Sequence, residues 1–331
     1  MLNLIQIGVG PLGQKVATYA LQRTGINIIG AVDPHPQKAG KDLGALCGGE
    51  PLGVTVREIL GEALKGKEAD IAIITTLSSL ERIESQIKAV AEAGLNMVST
   101  CEELSYPWQS SSQIAARIDA ACRENGVTCL GTGVNPGFLM DYLPAVLTSV
   151  CQKVERIKVT RVQDASVRRI PFQQKIGAGL NSREFENKKE AGTLRHVGLT
   201  ESIHMIAGAL RWKLDRVEET LEPVVARQKV GAGYKMIENG NARGVEQVGK
   251  GYINDEPKIT LHFKAAVGEK KSYDKIEIDG TPSFTSVIEG GVNGDIATSA
   301  ITVNALSAVM KSAPGLKAML EIPVPACFSN I

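Results

Sequence analysis

The feature that most constrains this chain is a glycine loop that begins at Gly8. Leu2 to Ile7 is an apolar run, Gly8-Val9-Gly10-Pro11-Leu12-Gly13 follows at once, and a helical stretch runs from Leu12 to Arg23. A GxGxxG between a strand and a helix is the turn of a dinucleotide-binding βαβ unit. Gly8 permits the tight turn, Gly10 lets backbone approach a pyrophosphate, and Gly13 lets the helix pack close to the strand. The helix opened by Pro11 and Leu12 offers N–H groups from Leu12 on, and a positive dipole end, to the phosphates. A second apolar run, Asn27 to Val32, stops at Asp33. That is about 20 residues past the last glycine, where an acid accepts from a ribose 2′-hydroxyl. The carboxylate repels a 2′-phosphate and favours NAD. His35 and Lys38, close in sequence, soften that preference and leave room for NADP.

The alternation continues through the first half. Ile71 to Thr75, Asn96 to Thr100 and Val127 to Leu130 read as strands, with a short weak one at Val54 to Val56. Helical periodicity fills Ser79 to Ala93 and Trp108 to Glu124. Such βαβ units imply an α/β Rossmann domain, a doubly wound parallel sheet, over residues 1–138. From about Val154 the pattern changes. Arg156 to Val162, Val217 to Val225, Lys258 to Ala266 and Lys275 to Ile278 alternate without helices between most of them. They predict a second, α+β domain over 139–331 with a largely antiparallel sheet. It holds one helix at Leu199 to Ala209, and a last helix at about 293–310 is expected to return to the first domain.

Composition closes off other classes. With 331 residues, 43% hydrophobic, 22% charged and a net charge of +1, the chain has material for two cores. Near-neutral charge gives no reason to expect nucleic acid or an anionic membrane as partner. No apolar run approaches a membrane span, and the N-terminus has no signal-peptide pattern, so a cytoplasmic protein is expected. Six dispersed cysteines read as free thiols, and four histidines at no ligand spacing predict no metal.

Two further segments stand at carboxyl ends of strands, where doubly wound sheets bind ligands. Ser99-Thr100-Cys101-Glu102-Glu103-Leu104 follows the Asn96 strand. Either the glutamates form a solvated helix start, or one of them is a carboxylate beside the hydride-transfer centre, Glu103 ahead of Glu102. Gly131-Thr132-Gly133-Val134-Asn135-Pro136-Gly137-Phe138 is either a domain hinge or the mouth of the crevice. In the second case Asn135 bonds the cofactor's carboxamide and Phe138 walls the substrate. Thr75 and Thr100, closing neighbouring strands, are further cofactor candidates.

These residues resemble the 2,4-diaminopentanoate dehydrogenases and related NAD(P)-dependent amine dehydrogenases, distant relatives of dihydrodipicolinate reductase. The resemblance runs through GVGPLG, STCEELSYP, GTGVNPGF, VTRVQDASVRR, TLRHVGLTES and GDIATSAITVNALSAVMKSAPGL. It implies oxidative deamination of 2,4-diaminopentanoate to 2-amino-4-oxopentanoate and ammonia, a place in amino-acid (ornithine) breakdown, and a homodimer built through the second domain. Such a substrate carries a carboxylate, for which Arg161, Arg168, Arg169, Arg195 and His196 are the available cations, His196 and Arg168 foremost. Asp164 either receives the substrate's other ammonium or closes a strand-end turn. An alternative is a reductase of a cyclic imine or carbonyl. The His-His pair followed by Lys of dihydrodipicolinate reductase is absent, which argues against that enzyme. A non-catalytic NAD(H) sensor would keep the glycine loop but need no polar groups opposite the ring.

Overall fold

The computed structural model describes residues 1–194 and 196–328. The chain divides into two compact units, one of residues 1–138 with the segment from Gly294 on, the other of 139–293.

The first unit alternates as its pattern requires. Its elements are β1 (Leu2–Ile7), α1 (Pro11–Leu21), β2 (Ile26–Val32), α2 (Leu43–Leu46), β3 (Val56–Arg57) and α3 (Leu60–Leu64). Then come β4 (Ile71–Ile74), α4 (Leu80–Glu92), β5 (Asn96–Ser99), α5 (Ser112–Glu124) and β6 (Thr128–Gly131). The strands lie in the order 3-2-1-4-5-6 and every pair is parallel. Leu80, Ile83, Ile87 and Val90, spaced three and four apart, put one buried stripe of α4 on the sheet. There they meet Ile5, Ile7, Ile74, Met97 and Cys129. Each buried aliphatic side chain contributes about 1.5–3 kcal/mol. α5 starts at Ser112 and not at Trp108, because Ser110 to Ser112 prefer turn geometry to helix interior.

In the second unit α6 (Tyr142–Leu147) precedes β7 (Lys153–Asp164), followed by α7 (Ile170–Lys175), α8 (Ser182–Glu190) and α9 (Leu199–Ala209). The remaining strands are β8 (Arg216–Val225), a small hairpin of β9 (Val230–Gly231) and β10 (Met236–Ile237), then β11 (Ala242–Ile253), β12 (Glu256–Ala266), β13 (Tyr273–Thr281) and β14 (Phe284–Glu289). Five of these and β7 form one sheet in the order 14-13-7-12-11-8, antiparallel except where β7 meets β12. β11 escaped the sequence reading because its glycines lower strand propensity. Those glycines seat α9: a Cβ on Gly249 would lie 2.9 Å from Ile203, and one on Gly251 2.9 Å from Ile203 and Leu214.

The closing stretch, α10 (Gly294–Asn304), α11 (Leu306–Met310) and the strand Gly315–Lys317, groups with the first unit and not with 139–293. Gly315–Lys317 pairs in parallel with β6, making a seventh strand of the Rossmann sheet, and α10 packs on α1. The expected single helix is interrupted at Ala305. Among the described residues no helix is long and apolar enough to cross a membrane, and no three His, Cys, Asp or Glu gather as a metal would need.

Candidate active site

In the first unit the glycine loop crosses from β1 to α1 at the point where strand order reverses between β1 and β4. Gly8 holds φ +86°, and a Cβ there would lie 2.9 Å from the Thr75 backbone. A Cβ on Gly13 would sit 2.0 Å from the Gly8 carbonyl, so only glycine lets α1 come this close. Gly10 is different. A Cβ on it meets nothing within 4 Å, so the space above it is open. Gly10 caps α1 without a side chain and Pro11 occupies the first turn, which leaves the N–H groups of Leu12 and Gly13 directed outward from the helix start. Open space over main-chain donors at a helix N-terminus fits a pyrophosphate.

Asp33 sits at the end of β2, nearly buried at 7% exposure. It accepts from the Val9 N–H (2.8 Å) and the Lys38 ammonium (2.8 Å) on Oδ2, and from the His35 N–H (3.0 Å) on Oδ1. Burial alone would raise this carboxyl. Lys38, Val9 and His35 together outweigh burial and hold it below the usual carboxylate range. A carboxylate has about four acceptor positions, so room for one ribose hydroxyl remains beside these three. The Lys38 ammonium places a positive charge beside this carboxylate.

One contributor to the loop was missed. Gln6, with no exposure, donates from Nε2 to the Gly8 carbonyl and to Thr75 Oγ1, both at 2.9 Å. The Thr75 hydroxyl donates to the same carbonyl at 2.8 Å. This latch fixes the Gly8 peptide, and its signal was the Gln6 amide two residues before Gly8 in the run LNLIQI. Thr75 is therefore brought to the loop as a support for its main chain.

Thr100 follows β5, and its N–H donates to the Ile74 carbonyl. Glu102 and Glu103 open a single 3₁₀ turn, and both are half-buried. Glu103, the carboxylate preferred from the sequence, is engaged on a main-chain donor. Its Oε2 accepts from the Leu80 N–H at 2.8 Å, so the carboxylate caps α4, whose own cap residue Ser79 makes no such bond. A helix start needs an acceptor for its first donors, and Glu103 supplies it. Asn135 and Phe138 lie in the loop after β6. That loop is drawn tight by Gly137 at φ +120°, whose Cβ would fall 2.5 Å from the Gly133 nitrogen, and by Val134 N–H donating to Thr298 on α10.

The second unit brings its cations together, but not as free cations. Arg161 is 2% exposed and pairs with Asp274 at 2.7 Å, so it is committed to the sheet interior. His196 is half-buried beside the positive charges of Lys175, Arg161 and Arg168. Burial first and those charges second push its imidazole down to about 3. His196 is thus a neutral hydrogen-bonding ring at physiological pH, a correction to its reading as a cation. Arg168 lies half-buried with its guanidinium 3.9 Å over the Phe172 ring, and donates to Gln163 Oε1 at 2.8 Å. Asp164 is the strand-end turn. Its Oδ1 accepts from the N–H groups of Ser166 and Gly268, the turn geometry of its two readings. Arg169 is half-buried on the approach to α7, and Arg195 lies outside the described residues.

Comparison with known proteins adds to this geometry. Residues 138–331 match the family described as the 2,4-diaminopentanoate dehydrogenase C-terminal domain. Over its whole length the chain is similar to the 2,4-diaminopentanoate dehydrogenase of Acetoanaerobium sticklandii, 32% identical across 98% of this chain and 94% of that one. In fold it is similar to the amine dehydrogenase from Mycobacterium smegmatis, with TM-score 0.89 and 22% identity, covering 100% of this chain and 98% of that one. A dihydrodipicolinate reductase from Paenisporosarcina sp. TG-14 shares the fold at TM-score 0.53 and 13% identity, covering 97% and 98%.

Proposed function

The chain belongs to the 2,4-diaminopentanoate dehydrogenase family, a group of NAD(P)-dependent amine oxidoreductases, and we propose that its own reaction is the oxidative deamination of 2,4-diaminopentanoate to 2-amino-4-oxopentanoate and ammonia. The observation that carries this reading is the full-length likeness to an enzyme of that name. The glycine cradle and Asp33 supply a place for the dinucleotide. When bound, the nicotinamide accepts hydride from the carbon that bears the amine.

The protein's own part is to place that carbon and move protons. Hydride can leave only when the amine is neutral, and the substrate becomes a cationic iminium as it goes. A fixed carboxylate in hydrogen-bond reach accepts the amine proton and stabilises the growing charge. With Glu103 on the α4 cap, Glu102 is the carboxylate assigned to this task. Once that proton has passed to solvent, the same carboxylate takes a proton from the water that adds to the iminium and returns it to the nitrogen; the carbinolamine then loses its hydroxyl proton and expels ammonia, leaving the ketone. In the second unit Arg168 grips the substrate's carboxylate, with His196 as a neutral donor beside it. A carboxylate held at one end fixes the reacting carbon at the other. Thr100, Asn135 and Phe138 complete the cofactor and substrate surroundings in this assignment. We assign the active form as a cytoplasmic homodimer formed through the second unit.

The test is an amine panel followed by absorbance of the reduced cofactor with NAD and with NADP, ammonia being measured in parallel. The expected result is turnover of the 2,4-diamino acid well above simple alkyl amines, with one ammonia per reduced cofactor. Turnover of cyclic imines without ammonia dependence would replace this reading by the reductase one.

A further inference from the structure

One rung of the second unit's sheet is polar where its neighbour is apolar. Across the strands it runs Leu221, Gln247, Phe263, Arg161, Asp274 and Ile288. The next rung on the same face is apolar over its four inner strands, Gly249, Leu261, Val159 and Ile276, with Glu219 and Ser286 at its edges. Gln247 has no exposure, and Phe263, Arg161 and Asp274 have 1%, 2% and 5%. Polar groups buried this deeply persist only if each is bonded, so each must have something to hold.

What Gln247 holds is the main chain at His196. Its Oε1 accepts from the His196 N–H at 2.8 Å, and its Nε2 donates to the His196 carbonyl at 3.0 Å. The same Nε2 donates to Glu219 Oε1 at 2.7 Å, which fixes which way round the amide lies. One planar amide thus pairs both main-chain groups of a loop residue, as a neighbouring strand would. The ring of that residue rests on Phe263, the cross-strand partner of Gln247, with centroids 4.4 Å apart. Main chain and ring of His196 are therefore both set by one cross-strand pair, and α9 begins three residues later at Leu199.

We propose that Gln247 is a positioning residue for substrate recognition: it locks the peptide of His196 so that the imidazole faces the substrate's carboxylate in one orientation. The proposal rests on the assignment of His196 to that carboxylate made above. Nothing in the linear sequence connects the two residues, since 51 positions separate them. Only the strand register brings them together.

Gln247→Met keeps the side chain's length and removes its hydrogen bonds. It should raise KM for a carboxylate-bearing diamine by about 10-fold or more, and change KM for an alkyl amine by less than about 3-fold. Fluorescence titration should find NADH affinity unchanged. His196→Ala combined with Gln247→Met should be no worse than the more severe single variant, because one acts through the other. In Gln247→Glu the introduced carboxyl donates only when protonated, so its KM defect should heal as pH falls, while a loss that is merely structural shows no such recovery. That variant also carries the test if Gln247→Met does not fold. A readout without substrate is the NMR signal of the His196 ring, shifted by the Phe263 ring in wild type and expected to move in Gln247→Met. Equal KM losses on both amine classes, additive losses in the double variant, or an unmoved ring signal would overturn the proposal. If the ring signal moves but His196→Ala leaves KM unchanged, the carboxylate assignment of His196 has failed instead, and substrate positioning falls with it.

Discussion

In the first unit the phosphate cradle is main chain, whereas in the second unit the candidate recognition groups are side chains bonded to one another. The glycine loop works through what is missing, since Gly8, Gly10 and Gly13 keep space clear for backbone and ligand. The second unit works through what is filled: Arg161 on Asp274, His196 on Gln247 and Phe263, Arg168 on Phe172 and Gln163. A main-chain site tolerates change in surrounding side chains, because its donors are present in every residue. A side-chain site built as a network fails when any member is removed. Substitutions should therefore fail differently, those in the main-chain cradle losing ligand and keeping fold, those at the buried ion pair of the second unit losing fold.

The largest effect expected is at Gly10. Gly10→Val fills the open space over the α1 N-terminus without meeting protein atoms, so NADH binding should vanish in a fluorescence titration while the melting temperature stays near wild type. A variant that melts early instead would erase the contrast. The second unit should behave in the opposite way. Asp274→Ala strands the buried Arg161 and releases the Val292 N–H, which also bonds Asp274, and should cost about 3–5 kcal/mol in urea unfolding. The double change Arg161→Met with Asp274→Leu should recover much of that loss, since it leaves no buried charge unpaired and only the Val292 N–H without its acceptor.

At the glutamate pair the contrast runs within a single turn. Glu102→Gln should lower kcat by about 100-fold or more with cofactor affinity kept, the loss expected for a missing general base. Glu103→Gln should instead lower stability by about 1 kcal/mol through the weakened α4 cap and leave kcat within about 3-fold of wild type. The reverse pattern would return the catalytic task to Glu103. The smallest effect belongs to Lys38. Lys38→Ala removes a charge that is partly exposed and held on Asp33, and should weaken NADP by about 10-fold in a calorimetric titration and NAD by less than about 3-fold. Equal losses with both nucleotides would place Lys38 away from the 2′ position.

By itself the sequence determined what local chemistry controls. GxGxxG after an apolar run names a turn, because only glycine adopts φ +86° at Gly8 without cost and only glycine admits the Gly8 carbonyl against Gly13. Asp33 at the end of the next strand follows from the same short βαβ geometry, and the 3.6 and 2.0 periodicities marked α4, α9, β7 and β12. Tertiary structure decided everything that depends on who pairs with whom at long range. Glu103 became a cap because α4 begins beside it, Asp164 a turn because Gly268 reaches it, and Arg161 a sheet-interior charge because register sets it against Asp274. His196 is neutral for the same reason, since burial on Phe263 and surrounding cations disfavour its proton more than any feature of its own segment could. A residue type states which bonds a side chain can make. Which of them it makes is settled by the partners that folding brings within about 3 Å.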